Sequence, residues 1–207
     1  MPKETFVNLK EDKKTRIIDG LLEVFYELGY DRVTVSDIIK ACNIPRGSFY
    51  QYFDNKFDAF QVLVHTYQTV KMTYLEDLLN DVGKVPFFDL YFDMVQAGIE
   101  FAKDYPRLVT MWLAFYHSQD ARMHALWKTF EEAGIAYIVE LLKKDQVAGY
   151  TKTNVDLKTV AKILIHAQGI ELIQDFELNT PIETIKENIQ HYVDIIQNGI
   201  KKEDSHE

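Results

Sequence analysis

Two runs with helical apolar spacing, Val35 to Cys42 and Arg46 to Phe53, are separated only by Asn43-Ile44-Pro45. Each is about two turns long, too short to persist as an isolated helix, so both must be held by neighbouring elements. Asn tolerates positive φ and the residue before a proline is driven out of the α region, so the chain must turn sharply between them. Ahead of them, a helix near 11–28 places Ile17, Ile18, Leu21, Leu22, Phe25 and Leu28 on one stripe and ends at Gly29. In the first short run Val35, Ile38, Ile39 and Cys42 face inward. In the second, Phe49 and Phe53 share one face, leaving Arg46, Ser48, Tyr50, Gln51 and Tyr52 largely outside. Exposed aromatics and hydrogen-bonding groups on one short rod, anchored from behind, suit a helix-turn-helix whose second helix enters the major groove.

From Ile17 through Phe60 the residues Phe25, Gly29-Tyr30, Thr34-Val35, Asp37-Ile38, Ala41, Ile44, Gly47-Ser48, Phe49-Tyr50, Tyr52-Phe53 and Lys56 follow in an order that resembles the TetR-type (TetR/AcrR) bacterial transcriptional regulators. The resemblance implies phosphate contacts from Thr34, Tyr50, Tyr52 and Lys56, and base-edge contacts from Arg46, Gly47, Ser48 and Gln51. Elementary chemistry agrees: tyrosine hydroxyls and a lysine donate to phosphate, and Arg or Gln pairs bidentately with guanine or adenine. The sequence departs from the family's usual residues at Ile39, Cys42, Asn43, Pro45 and Phe57. Pro45 replaces a frequent serine and so removes a possible side-chain cap from the second short helix. Cys42, with no second cysteine in the chain, reads as a small buried hydrophobe rather than a redox sensor.

The rest of the chain keeps helical periodicity, with no alternating apolar runs joined by a hairpin turn. The expectation is an all-α fold of about nine helices: an N-terminal three-helix helix-turn-helix DNA-binding domain over 1–55, and a larger helical-bundle ligand-binding and dimerisation domain over 56–207. Asp54-Asn55 caps a helix over 56–80, Pro86 and Pro106 open two further helices, and a long helix runs over 120–148. Asn154 reads as the cap of the penultimate helix, and Thr180-Pro181-Ile182-Glu183 as a capping box for the last.

The second domain is dense in aromatic residues and Met on inward stripes, Tyr137 among them. Tyr91, Met111, Trp112, Phe115, Tyr116, Trp127, Phe130 and His166 are the candidate lining of a pocket for a small apolar or aromatic effector. Gln168 and His166 interrupt an otherwise apolar helix. The resemblance implies a homodimer through the last two helices, about 155–178 and 181–201, which would space two recognition helices to read a palindromic double-stranded operator.

Composition closes off other classes. A hydrophobic content of 47% excludes a disordered chain, and a single cysteine excludes a disulfide-stapled domain. No apolar run reaches the roughly 20 residues of a membrane span, and the polar N-terminus is no secretory signal, so a cytoplasmic protein is expected. The net charge is −9, yet residues 1–58 carry nine Lys and Arg against ten Asp and Glu, so the acidity lies beyond them. No nucleophile elbow, phosphate-cradling loop or metal-binding spacing is present, so neither catalysis nor a cofactor is expected. Asp120 and His124, one turn apart, supply too few ligands for a metal. The competing reading is an all-helical protein-interaction module that binds no DNA.

Overall fold

Asn43, at φ 50°, is the one non-glycine residue with positive φ among the described residues, and it makes the turn the sequence demands. A computed structural model describes residues 1–177 and 180–200, apart from the side chains of 114–116, 167–174, 176, 177, 199 and 200. The described residues form ten helices in chain order: α1 (Glu4–Val7), α2 (Glu11–Leu28), α3 (Val35–Ala41), α4 (Arg46–Tyr52), α5 (Lys56–Leu79), α6 (Phe87–Asp104), α7 (Pro106–His117), α8 (Ala121–Ala148), α9 (Leu157–Glu177) and α10 (Ile182–Ile200). They contain no strand, only an isolated bridge between Val82 and Val85. The all-α expectation holds. The added element is α1, four residues whose single anchoring side chain, Phe6, gives no periodic signal.

Packing divides the chain into two units: Met1–Thr73 with Phe101–Leu126, and Tyr74–Glu100 with Trp127–Glu207. The first is built on Ile17, Leu21, Ile38, Phe49, Phe53, Phe60 and Leu63, all inaccessible to solvent. Phe60 meets the rings of Phe25 and Tyr30 edge-on at 5.2 and 5.0 Å. A β-carbon at Gly20 would stand 2.8 Å from both the Ala41 carbonyl oxygen and the Cys42 α-carbon, so α2 and α3 touch backbone to backbone. Glycine in a helix interior costs stability locally; here it is the residue that permits this approach. In the same unit Tyr67 stacks on Trp112 at 4.3 Å and meets Phe101 edge-on at 5.1 Å.

The second unit packs Phe87, Tyr91, Ile99, Ile138, Leu142, Ala161, Leu164 and Ile189 into one core. Buried Asp145 accepts the Phe87 amide at 2.8 Å and the Thr151 hydroxyl at 2.5 Å, satisfying an orphan donor at the start of α6. Two expectations for this unit are corrected. The cap of α9 is Asp156, not Asn154: its carboxylate accepts the amides of Lys158 and Thr159 at 3.0 and 3.4 Å, and a residue two positions upstream could not reach them. Tyr137 is 41% exposed rather than inward, because α8 turns Ile135, Ile138 and Leu142 to the core instead. Glu183 is engaged by Lys186 at 3.3 Å on the surface of α10.

Candidate nucleic-acid interface

Helix α4 is fixed by what lies behind it. Phe49 and Phe53 are completely buried, with ring centres 5.4 Å apart. The opposite face leaves Arg46, Gly47, Tyr50 and Gln51 exposed and Ser48 half-buried. Tyr50 is 43% exposed, and the Arg46 guanidinium lies 5.8 Å from its ring centre, so a cation and a phenol stand side by side on the outer surface.

Three residues expected to contact phosphate have partners within the chain. Tyr52 is buried, at 5% exposure, rather than facing outward. It stands three positions after Phe49, close to the same helical face, and Phe6 of α1 covers it at 6.1 Å with the Lys13 ammonium 5.5 Å from its ring centre. Lys56 is half-buried. Its Nζ donates to the carbonyls of Tyr30, Asp31 and Val33 at 2.8, 3.1 and 3.2 Å, which occupies all three ammonium donors and ties the α2–α3 connector to the start of α5. Thr34 is exposed but caps α3: its hydroxyl donates to the Asp37 carboxylate at 2.6 Å and accepts the Asp37 amide at 3.3 Å. The Thr34 hydroxyl, and with it the Thr34 amide donating to the same carboxylate at 3.0 Å, holds the Asp37 carboxyl below its ordinary range. Asn55 likewise accepts the Asp58 amide at 3.1 Å, capping α5 as expected.

Residues 17–61 match the family described as bacterial regulatory proteins, tetR family. In this segment the chain is similar to that family. Among its relatives, the transcriptional regulator AcuR of Cereibacter sphaeroides is 36% identical over 85 residues, 40% of this chain and 39% of AcuR. The biofilm operon icaADBC negative transcriptional regulator IcaR of Staphylococcus aureus is 38% identical over 69 residues, 33% of each chain. The chain thus spans less than half the length of these two relatives. The SmeT–triclosan complex, SmeT being the repressor of the Stenotrophomonas maltophilia multidrug efflux pump SmeDEF, shares the fold. Its TM-score is 0.73 at 18% identity, covering 93% of this chain and 93% of SmeT. These relatives are regulators of transcription, not enzymes.

A polar joint that the sequence alone does not reveal binds the connector between α2 and α3 to the loop between α7 and α8. The Tyr30 hydroxyl donates to Asp120 at 2.9 Å, the Ser118 hydroxyl donates to Asp31 at 2.7 Å and the Gln119 amide donates to Asp31 at 2.9 Å. Arg122 closes on Asp120 through two nitrogens at 3.0 and 2.6 Å and lies over the Phe57 ring at 5.0 Å. The guanidinium holds the Asp120 carboxyl well below the usual carboxylate range, and burial together with Asp120 pushes the Tyr30 phenol well above its ordinary value. The signal was the Gly29-Tyr30-Asp31 connector itself, but its partners lie 87 to 90 residues away.

The candidate effector residues fall in both units. Met111 is buried and Trp112 half-buried in the first. In the second, Tyr91 is buried and donates to the Leu164 carbonyl at 3.3 Å, and Trp127 and Phe130 are half-buried. His166 lies at the surface with its Nε2 at 2.8 Å from Glu131. The side chains of Phe115, Tyr116 and Gln168 lie outside the described residues. Among the described residues no group of His, Cys, Asp or Glu could hold a metal ion, and no helix is long and apolar enough to cross a membrane.

Proposed function

We propose that the chain is a ligand-responsive repressor that reads a palindromic operator as a homodimer and is released by a small, largely apolar molecule. The observation that carries this reading is the outer face of α4, where Arg46, Gly47, Tyr50 and Gln51 stand exposed over a fully buried anchor within the family-matched segment. Arg46 and Gln51 supply the forked donors and acceptors that discriminate bases, and Tyr50 with Ser48 supplies hydroxyls for the backbone. Thr34, Tyr52 and Lys56 serve this face indirectly: the first caps α3, the second packs under α4, and the third holds the connector.

IcaR, a negative regulator, and SmeT, a repressor seen with triclosan, support the repressor and apolar-effector parts of the reading. The partner surface is proposed on α9 and α10, where Ile163 and Ile195 are 48% and 72% exposed and Tyr192 36%. Apolar side chains left open on two adjacent helices suit a four-helix interface with a second copy. Effector signalling would run through α7. A shift of α7 would act on α2 through Arg107, 5.4 Å from the Tyr26 ring centre, and on the connector through the Ser118–Asp31 and Asp120–Tyr30 bonds. The effector can release DNA only by binding one arrangement more tightly than the other.

Selection of bound fragments from random duplexes tests the DNA part. A two-fold symmetric site with half-sites about one helical turn apart, or a multiple, is the expected product. Enrichment of nothing would refute it. Thermal-shift screening with apolar compounds, followed by operator-release assays on each hit, tests the effector part; hits that leave operator binding unchanged would refute it.

A further inference from the structure

We infer that α1 is a positioning element for the recognition helix: Lys3, Thr5 and Phe6 hold the last turn of α4 in the pose from which Arg46, Tyr50 and Gln51 would meet DNA. The inference rests on the DNA-reading proposal above, and it concerns residues outside the family-matched segment 17–61.

A seven-residue helix cannot satisfy its own terminal carbonyls, and α4 has little capping of its own. Its N-cap, Pro45, offers no side-chain cap, and its C-cap, Phe53, continues in extended backbone at φ −138° and ψ 147° rather than the left-handed turn that would fold amides back onto the last carbonyls. The missing partners come from about 47 residues upstream. Lys3 Nζ donates to the Tyr50 carbonyl at 2.9 Å, the Thr5 hydroxyl donates to the Gln51 carbonyl, and the Lys3 amide donates to the Tyr52 carbonyl at 2.9 Å. Three consecutive orphan carbonyls are thereby taken up by one short segment. The Lys3 ammonium at this end also opposes the negative pole of the helix, and it pairs with Asp54 at 2.5 Å just beyond it.

Phe6 gives the segment its grip. It is 2% exposed, 6.1 Å from the Tyr52 ring and 5.1 Å from the Phe53 ring. Tyr50 and Gln51 are the residues whose side chains face outward and whose carbonyls are tethered, so any slip of α1 rotates the groups proposed to read DNA. Segment and recognition helix are one mechanical piece.

The test compares Phe6→Ala and Phe6→Leu with the wild type in the full chain. Amide hydrogen exchange is read without DNA, and affinity for a selected operator is read at several salt concentrations. In Phe6→Ala the amides of Phe49 to Phe53 should exchange at least about tenfold faster while those of α8 are unchanged. Operator affinity should fall about tenfold with an unaltered salt slope, because no phosphate contact is lost. Phe6→Leu should recover most of both. Unchanged exchange in α4, or accelerated exchange with full operator affinity, would overturn the inference. So would a slope reduced by about one in Lys3→Met, which would make α1 itself a phosphate contact. If Phe6→Ala does not fold, Thr5→Val removes only the bond to the Gln51 carbonyl and is judged by the same criteria. Failure of the wild type to bind any duplex would refute the DNA reading, while exchange alone would still decide whether α1 holds α4.

Discussion

The Tyr30 hydroxyl donates a 2.9 Å hydrogen bond to the carboxylate of Asp120, joining the connector after α2 to the residue before α8 across 90 positions of chain. The same carboxylate is gripped by Arg122, and the neighbouring Asp31 by Ser118 and Gln119. A bond to an ionised acceptor is worth about 1.5–3 kcal/mol when broken on one side only. Tyr30→Phe and Asp120→Asn should therefore each lower stability by about that amount, and the double variant by less than their sum. Urea unfolding of the four proteins measures this; strictly additive losses would show that the two groups do not act together.

Acid should weaken the same joint. Asp120 is held below its ordinary value, chiefly by the Arg122 guanidinium and further by the Arg122 amide and the Tyr30 hydroxyl. A carboxyl whose folded value is depressed contributes stability that is fully present above its unfolded value of 3.8 and is lost as pH falls towards the folded one. The midpoint of thermal unfolding should thus drop between about pH 5 and pH 2, and the drop should be shallower in Asp120→Asn. Parallel profiles for the two proteins would contradict this. Asp37, depressed by Thr34, adds to the same acid limb and remains in the variant.

Gly20→Ala should damage the reading head. The added methyl would lie 2.8 Å from two backbone atoms of the α3 end, Ala41 O and Cys42 Cα, and backbone cannot rotate away as a side chain can. Overpacking of this kind costs about 1–3 kcal/mol. Exchange of the α2 and α3 amides should rise, with weaker operator binding. A variant as stable as the wild type would mean that α2 and α3 separate easily.

Cys42 should be inert in the native protein. Burial pushes its thiol up to about 12, and its Sγ lies 3.5 Å from the Ile17 carbonyl. A thiol reagent near neutral pH should label it only at the rate of unfolding, accelerating with denaturant. Rapid labelling without denaturant would contradict the burial of this face of α3.

Much of the architecture was legible because apolar periodicity and punctuation agreed. Gly29, Asn43 and Pro45 mark the head's turns, and Asn55 caps α5 through an atom that sequence identifies directly. What stayed hidden was tertiary. Tyr52 reads as an outward aromatic until Phe6 covers it, and four residues of α1 carry no period from which that cover could be foreseen. Lys56 reads as a phosphate donor, but its acceptors in the folded chain are carbonyls of the connector, a match that only the fold creates. Gly20 carries a signal of another kind: a glycine inside a strong amphipathic stripe marks a close approach.

The outer face of α4 is proposed to read DNA. Its most direct test is operator affinity as a function of salt for the wild type, Arg46→Ala and Gln51→Ala. A steep linear fall of log affinity with log salt is expected for the wild type, and a loss of about 1–3 kcal/mol for each variant, confined to particular base pairs of the selected site. A flat salt dependence, or variants that bind the operator and its single-base changes as the wild type does, would contradict it.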